Sequence, residues 1–305
     1  MKVLVTGGAG YIGTELSKRL CQSKEVQHVT IYDNLSKGHA NFFIDEALPR
    51  EKVKFVHGEI LDSRLLRKTM ADVDVVVHLA AKVTTPFSNS DPHFFEQVNH
   101  WGTAEVVYAA EESPIKKFIY LSSASVYGAN NETADEHTIP TPRTFYGISK
   151  LRGEEHVQRL MGNKNAIVIR GGNVFGFSRS MRFDSVINKF MFDANFNNRI
   201  QIYGSGKQHR AFISIDHLSH CLLQTVLATV PNGTYNMVDK NLQILDIVDA
   251  LKVLYPTLEF IFTNQHMPLR ELHISQESKI FEYIEKFESI NFIEELEKIK
   301  GHFSF

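Results

Sequence analysis

The chain is poor in cysteine. Its 305 residues include two, Cys21 and Cys221, which stand far apart and outside any CxxC or other metal-ligand spacing. A reduced, cytoplasmic compartment is the expectation. Charge of one sign is also missing. The formal net charge is −2, so no overall positive field exists to hold nucleic acid. No apolar run reaches the roughly 20 residues that a membrane span needs. The longest candidate, VDVVVHLAA, carries Asp74 and His78. Apolar strand residues begin at Val3, which leaves no secretory leader ahead of them. No low-complexity segment is visible, and no repeat with a period of about 20–50 residues. What remains is an ordinary soluble composition, 43% apolar and 22% charged, long enough for one large domain or two lobes.

The first half alternates two kinds of pattern. Short apolar runs (KVLVTG, VQHVTIYD, KVKFVHGEI, VDVVVHLA, KKFIYLSS, NAIVIRGG) read as strands. Amphipathic stretches between them, including long ones near 93–112 and 144–161, read as helices. Apolar strands of this kind imply a parallel sheet covered on both faces. The expectation is an α/β, Rossmann-type, doubly wound domain over residues 1–172. A smaller substrate lobe is expected over 173–305, with some of its segments returning to pack on the first.

Three glycines follow the first strand, in KVLVTGGAGYIG. Gly7, Gly10 and Gly13 open the first helix. Glycine permits a tight reversal and lets a pyrophosphate approach the backbone, while the free N–H groups of the helix start favour an anion. The plainer alternative is a glycine turn without a ligand. The second strand ends in Asp33, 20 residues after Gly13, placed to accept hydrogen bonds from adenosine ribose hydroxyls. Its charge also repels a 2′-phosphate, which favours NAD over NADP. Lys37 nearby argues the other way unless it is simply a solvated loop residue.

A second constellation lies at YLSSASVYG and TFYGISK. Tyr146 and Lys150 are four apart and share one helix face. A free phenol titrates near pH ~10 and must fall by roughly 3 units, about 4 kcal/mol, to act as a base near neutrality. An adjacent ammonium supplies part of that. Ser123, at a strand end, is placed to share the same substrate hydroxyl. Each feature alone is weak, because Tyr-x-x-x-Lys occurs on ordinary helices and serines commonly cap turns.

Together these stretches resemble the extended short-chain dehydrogenase/reductases of the NAD-dependent sugar epimerase/dehydratase family. The likeness runs nearly end to end, through TGGAGYIG, DNLSKG, GEILD, HLAA, VNHWGT, SSASVYG, YGISK, RGGNVFG and RAFISIDHL. It is best for UDP-glucose 4-epimerases and their UDP-sugar relatives. The resemblance implies catalysis by Tyr146, Lys150 and Ser123, with Lys150 also holding the nicotinamide ribose. It places Tyr11, Ile12, Asn34, Ile60, Ala80 and Ala81 along the cofactor, Asp62 near the adenine amine, and Asn99 as a buttress of the active-site strand. On the substrate side it implies Asn173, Arg210 and Arg270 at a nucleotide diphosphate and Tyr203 near the nucleobase. Arginine suits the diphosphate because its fork holds two oxygens. A homodimer through the two long helices is implied as well.

The implied reaction is 4-epimerisation of a UDP-sugar through a 4-keto intermediate. Sugar 4,6-dehydratases resemble the chain too, but they normally carry an Asp-Glu pair where this chain has Ala124 and Ser125. A nucleotide-sugar 4-reductase, another sugar oxidoreductase, a 2-epimerase of a CDP-sugar and a non-catalytic NAD-binding regulator stay open. His217 and His220 lie three apart with no evident third ligand, so no metal is expected. They are read as ordinary helix residues, one packed and one exposed.

Overall fold

The computed structural model describes residues 1–38, 40–44, 48–83, 91–129, 132–264, 271–288 and 290–303. The first half alternates β1 (Lys2–Thr6), α1 (Tyr11–Gln22), β2 (His28–Asp33), β3 (Val53–His57), α2 (Ser63–Met70) and β4 (Val75–His78). Next come α3 (Pro92–Phe95), a π-helical turn (Glu96–Gly102) and α4 (Thr103–Glu111), which run on as one helical path. β5 (Lys117–Ser123), β6 (Thr133–Ala134), α5 (Phe145–Leu160) and β7 (Asn165–Gly171) follow. The second half holds β8 (Asn173–Phe175), α6 (Val186–Asn197), β9 (Arg199–Tyr203), β10 (His209–Ser214) and α7 (Ile215–Leu227). It continues with β11 (Gly233–Met237), β12 (Lys240–Gln243), α8 (Ile244–Leu254), β13 (Glu259–Thr263), β14 (His273–Ile274) and α9 (Phe292–Lys300).

Seven strands form one sheet in the order β11-β7-β5-β4-β1-β2-β3. Every pairing in it is parallel. Both faces are buried because alternate residues serve opposite layers. Val3, Val5, Val75, Val77, Ile119 and Ile167 face a core shared with α1 and α7. Leu4, Val76, Phe118, Tyr120 and Val168 face the other, shared with α2, α4 and α5. Full burial of such a side chain contributes about 1.5–3 kcal/mol, so these two layers dominate the stabilisation. β11, although late in sequence, pairs with β7 at the sheet edge.

The remaining elements build a second core. Phe175, Phe190, Met191, Ile200, Phe212 and Leu251 gather from β8, α6, β9, β10 and α8. A three-stranded sheet β12-β10-β8 and a pair β13-β9 frame it. The chain order reverses between β1 and β4, and such a switch point opens a crevice at the carboxyl ends of the strands.

Candidate active site

The loop after β1 meets the loop after β4 at that crevice. Gly7 has φ +70°, and a Cβ there would lie 2.6 Å from the Ala80 nitrogen. A Cβ on Gly13 would collide with the Gly7 carbonyl oxygen and sit 2.6 Å from the Gly8 Cα. The turn therefore closes on itself only without side chains. Gly10 is the N-cap of α1; no side chain caps that end and no acidic residue occupies its first turn. Such a helix start presents N–H groups to an anion.

Asp33 is fixed beside this turn. Its carboxylate accepts from the Ala9 N–H at 3.1 Å and the Leu35 N–H at 2.8 Å. Asn34 donates to Glu59 at 2.6 Å and accepts from the Ser36 N–H. Asp62 is exposed and caps α2 through the Leu65 N–H. Ile60 is buried under Gly102, where a Cβ would strike it. Ile12, Ala80 and Ala81 are half-buried around the crevice. Tyr11 begins α1, but its hydroxyl donates to the Gly176 carbonyl at 2.7 Å and accepts from Asn188 at 3.2 Å. Its side chain thus ties the glycine turn to the second half of the chain. An uncapped helix start, a side-chain-free cradle and an anchored carboxylate at the end of β2 fit the pyrophosphate and ribose of a dinucleotide.

The second constellation also assembles. Thr144 caps α5 by accepting the Gly147 N–H, which starts the helix just before Tyr146. Ser123 ends β5, is 8% exposed, and acts to lower the pKa of the Tyr146 phenol. Its hydroxyl also lies 2.8 Å from that of Ser125. The Phe95 ring packs against the Tyr146 ring at 6.2 Å. One turn on, Lys150 is 2% exposed, donates to the Leu121 carbonyl at 2.7 Å, and lies 4.1 Å from the centre of the Tyr120 ring.

Burial dominates the electrostatics of this pair. Burial raises the Tyr146 phenol above its ordinary value, and only the Ser123 hydrogen bond and the Arg182 charge pull it down. Lys150 is not among those influences. Burial pushes Lys150 itself down to about 7, with Glu154 acting to raise it. The lysine needs help to stay charged.

Asn99 is fully buried in the π-helical turn. Its side chain accepts from the Lys82 N–H at 2.8 Å and donates to the Lys82 carbonyl and to Ser149. It clamps the loop after β4 to α5.

On the far side, Asn173 and Arg210 sit on the paired strands β8 and β10. Asn173 donates to the Ala211 carbonyl at 2.9 Å, and the half-buried Arg210 donates to the His209 carbonyl at 3.1 Å. Tyr203 ends β9, in a different sheet, with its hydroxyl 3.4 Å from Gln201. Arg270 lies outside the described residues.

The histidine reading needs one revision. His217 is buried, but His220 is half-buried against Phe287 rather than exposed. His217 also has carboxylates near it that its sequence neighbours did not reveal, Asp239 at 3.0 Å and Glu295 beyond. The Lys240 ammonium contacts both carboxylates, at 2.7 and 2.9 Å, and offsets part of their charge. A second group, His209, Glu271 and His273, converges beside Arg210.

Sequence reasoning missed Glu154, Arg170 and Ser122. Glu154 continues the four-residue spacing of Tyr146 and Lys150, and that signal was available. It missed Asn188, whose partners lie 12 and 177 residues away.

Comparison with known proteins gives a consistent result. The model of the NAD dependent epimerase/dehydratase family matches residues 3–237. A putative UDP-glucose 4-epimerase of Methanocaldococcus jannaschii is 31% identical over 231 residues, 73% of each chain. A dTDP-D-glucose 4,6-dehydratase of Mus musculus is 29% identical, over 77% of this chain and 67% of its own. A UDP-glucuronic acid 4-epimerase of Bacillus cereus, crystallised with UDP-glucuronic acid and NAD, superposes with a TM-score of 0.89 at 24% identity, covering 99% of this chain and 98% of that one.

Proposed function

The chain belongs to the NAD-dependent epimerase/dehydratase family, and on that footing we propose that it is a nucleotide-sugar epimerase, acting at C4 of a UDP-sugar. The observation that carries this reading is the Ser123, Tyr146, Lys150 constellation beside the glycine turn, together with the absence of a carboxyl group at two neighbouring positions. Ala124 packs in an apolar cluster with Val126 and Tyr127. The Ser125 hydroxyl is hydrogen-bonded to Ser123. Neither offers the acid that would expel a hydroxyl as water.

NAD, when bound, supplies reversible hydride acceptance. Gly7, Gly10 and Gly13 cradle its pyrophosphate, Asp33 takes the adenosine ribose, and Tyr11, Ile12, Asn34, Ile60, Asp62, Ala80 and Ala81 line the crevice. Tyr146, acting as its phenolate, would take the proton of the substrate hydroxyl and return it. Ser123 holds that hydroxyl on line with the phenol, and Lys150 supplies the nearby positive charge. Asn99 fixes the geometry of the loop and of α5. Asn173 and Arg210 hold the diphosphate, and Tyr203 flanks the nucleobase; Arg270 belongs to the same proposal. Because the hydride returns to the sugar, no net redox change occurs. A homodimer and a cytoplasmic location complete the reading, and sedimentation of the purified chain checks the first.

The test is a panel of UDP-, dTDP-, GDP- and CDP-sugars followed by NMR. The expected result is interconversion of two C4 epimers from either side, reaching one equilibrium ratio without accumulation of reduced cofactor. A 4-keto-6-deoxy product would favour the dehydratase reading that the Mus musculus relative supports. No turnover of any sugar, with NAD still bound, would favour a regulator.

A further inference from the structure

Helix α5 carries a further ionisable residue in line with Tyr146 and Lys150. Tyr146, Lys150 and Glu154 recur every four residues and share one face. Glu154 is wholly buried, and its carboxylate is fully engaged. Arg170 on β7 donates to it at 2.7, 3.1 and 3.2 Å. Ser122 on β5 donates to it at 2.5 Å. The Arg170 guanidinium is itself 4.8 Å from the Tyr127 ring centre, and the Tyr127 hydroxyl donates to Asn236 at 2.8 Å.

An ion pair this deep is a poor device for stability. Apolar residues of similar size in its place are often neutral or stabilising. Its position offers a better reason. Lys150, one turn away, is almost completely enclosed. Its surroundings from each packed element are known. Tyr120 on β5 presents a ring face and Leu121 a carbonyl. His78 on β4 is bonded to Thr6 and Thr103, and burial pushes it down to about 3, so it contributes no positive charge near neutrality. Tyr146 is a neutral phenol held high by burial. Glu154 is the anion acting on Lys150.

We propose that Glu154 is a positioning residue for the reaction: Arg170 and Ser122 fix its carboxylate in place, and that carboxylate favours the charged form of the neighbouring Lys150 in an enclosed site. Arg170 makes the arrangement possible by compensating the buried Glu154 charge through its forked contacts. The dipole of the pair then presents its negative end to the lysine. Ser122, one residue before the substrate serine, links β5 to the same carboxylate. The inference rests on the reading of Lys150 as the partner of Tyr146.

The test reads the lysine directly and needs no turnover. The full chain is labelled with 13C at lysine Cε, the Lys150 resonance is assigned by its loss in Lys150→Arg, and its titration midpoint is measured. Glu154→Gln should lower that midpoint by one pH unit or more. Glu154→Gln also leaves Arg170 unpaired, so the double variant Glu154→Leu/Arg170→Met provides the decisive arm and serves alone if the single variant does not fold. With both charges gone, the midpoint should still fall by at least half a unit, and in turnover assays kcat should fall with KM nearly constant. An unchanged midpoint in the folded double variant overturns the proposal. A lowered midpoint in a protein that turns over no sugar would leave this electrostatic role standing and sink the enzymatic reading instead.

Discussion

At the scale of single residues, the proposed chemistry turns on two side chains. Tyr146 carries the phenol that Ser123 acts on at the crevice, so its removal isolates proton transfer. Tyr146→Phe should cut kcat by about 10²–10⁴-fold, the usual worth of a positioned acid–base group. NAD affinity, measured by fluorescence titration, should stay within a few-fold, because the glycine cradle is untouched. Lys150 makes a prediction about stability. Its ordinary value of 10.5 falls to about 7 in the folded chain. Between those values the unfolded state binds the extra proton, so stability must rise as pH rises through the window. Lys117, lowered to about 8 by burial, works in the same direction. Lys150→Met should therefore flatten the rise of the urea midpoint between pH 7 and 9 without abolishing it. An identical slope in both proteins would show that Lys150 is charged throughout.

At the scale of elements, the glycine turn between β1 and α1 decides whether the cofactor site exists. Gly13→Ala forces its methyl group into the Gly7 carbonyl, so the turn must shift. The expected cost is about 1–3 kcal/mol of stability, as for other overpacked sites, and at least a tenfold loss of NAD affinity by calorimetry. This element was readable from sequence because its demand is local: a strand, three glycines and a helix within 20 residues. The sheet was readable for a similar reason, since each central strand is a continuous apolar run. Other elements leave no such mark. β6 and β14 are two residues long and carry no period. The π-helical turn at 96–102 has ordinary helical composition, and its distinction lies in Asn99 reaching Lys82 and Ser149. Arg170 reads as one more polar residue in a buried strand, because its partner sits on another element. Asp239 and Glu295 stand 22 and 78 residues from His217, and only the fold brings them there.

At the scale of the whole molecule, the crevice depends on how the second half of the chain is fastened to the first. Three cross-links do this on α1. The Tyr11 hydroxyl donates to Gly176, Thr14 donates to Ser180 at 2.9 Å, and Arg19 reaches Asp216 and Ser219 on α7. Asn188 on α6 is the hub of the innermost link. It is fully buried, accepts the Gly176 N–H at 2.9 Å, and donates to Tyr11 and to the Arg182 carbonyl. Arg182 lends its charge to Tyr146, so this fastening bears on that phenol as well. Asn188→Ala leaves the buried Gly176 N–H without its acceptor, a loss of about 1–3 kcal/mol, with further loss from the other two bonds. Asn188→Leu restores the volume but not the bonds. If the hub only fills space, Leu should recover stability and turnover together. If it sets the placement of the two halves, thermal unfolding of the Leu variant should recover in part while the KM for the sugar nucleotide stays raised several-fold, because Asn173, Arg210 and Arg182 are carried by the half that has been released.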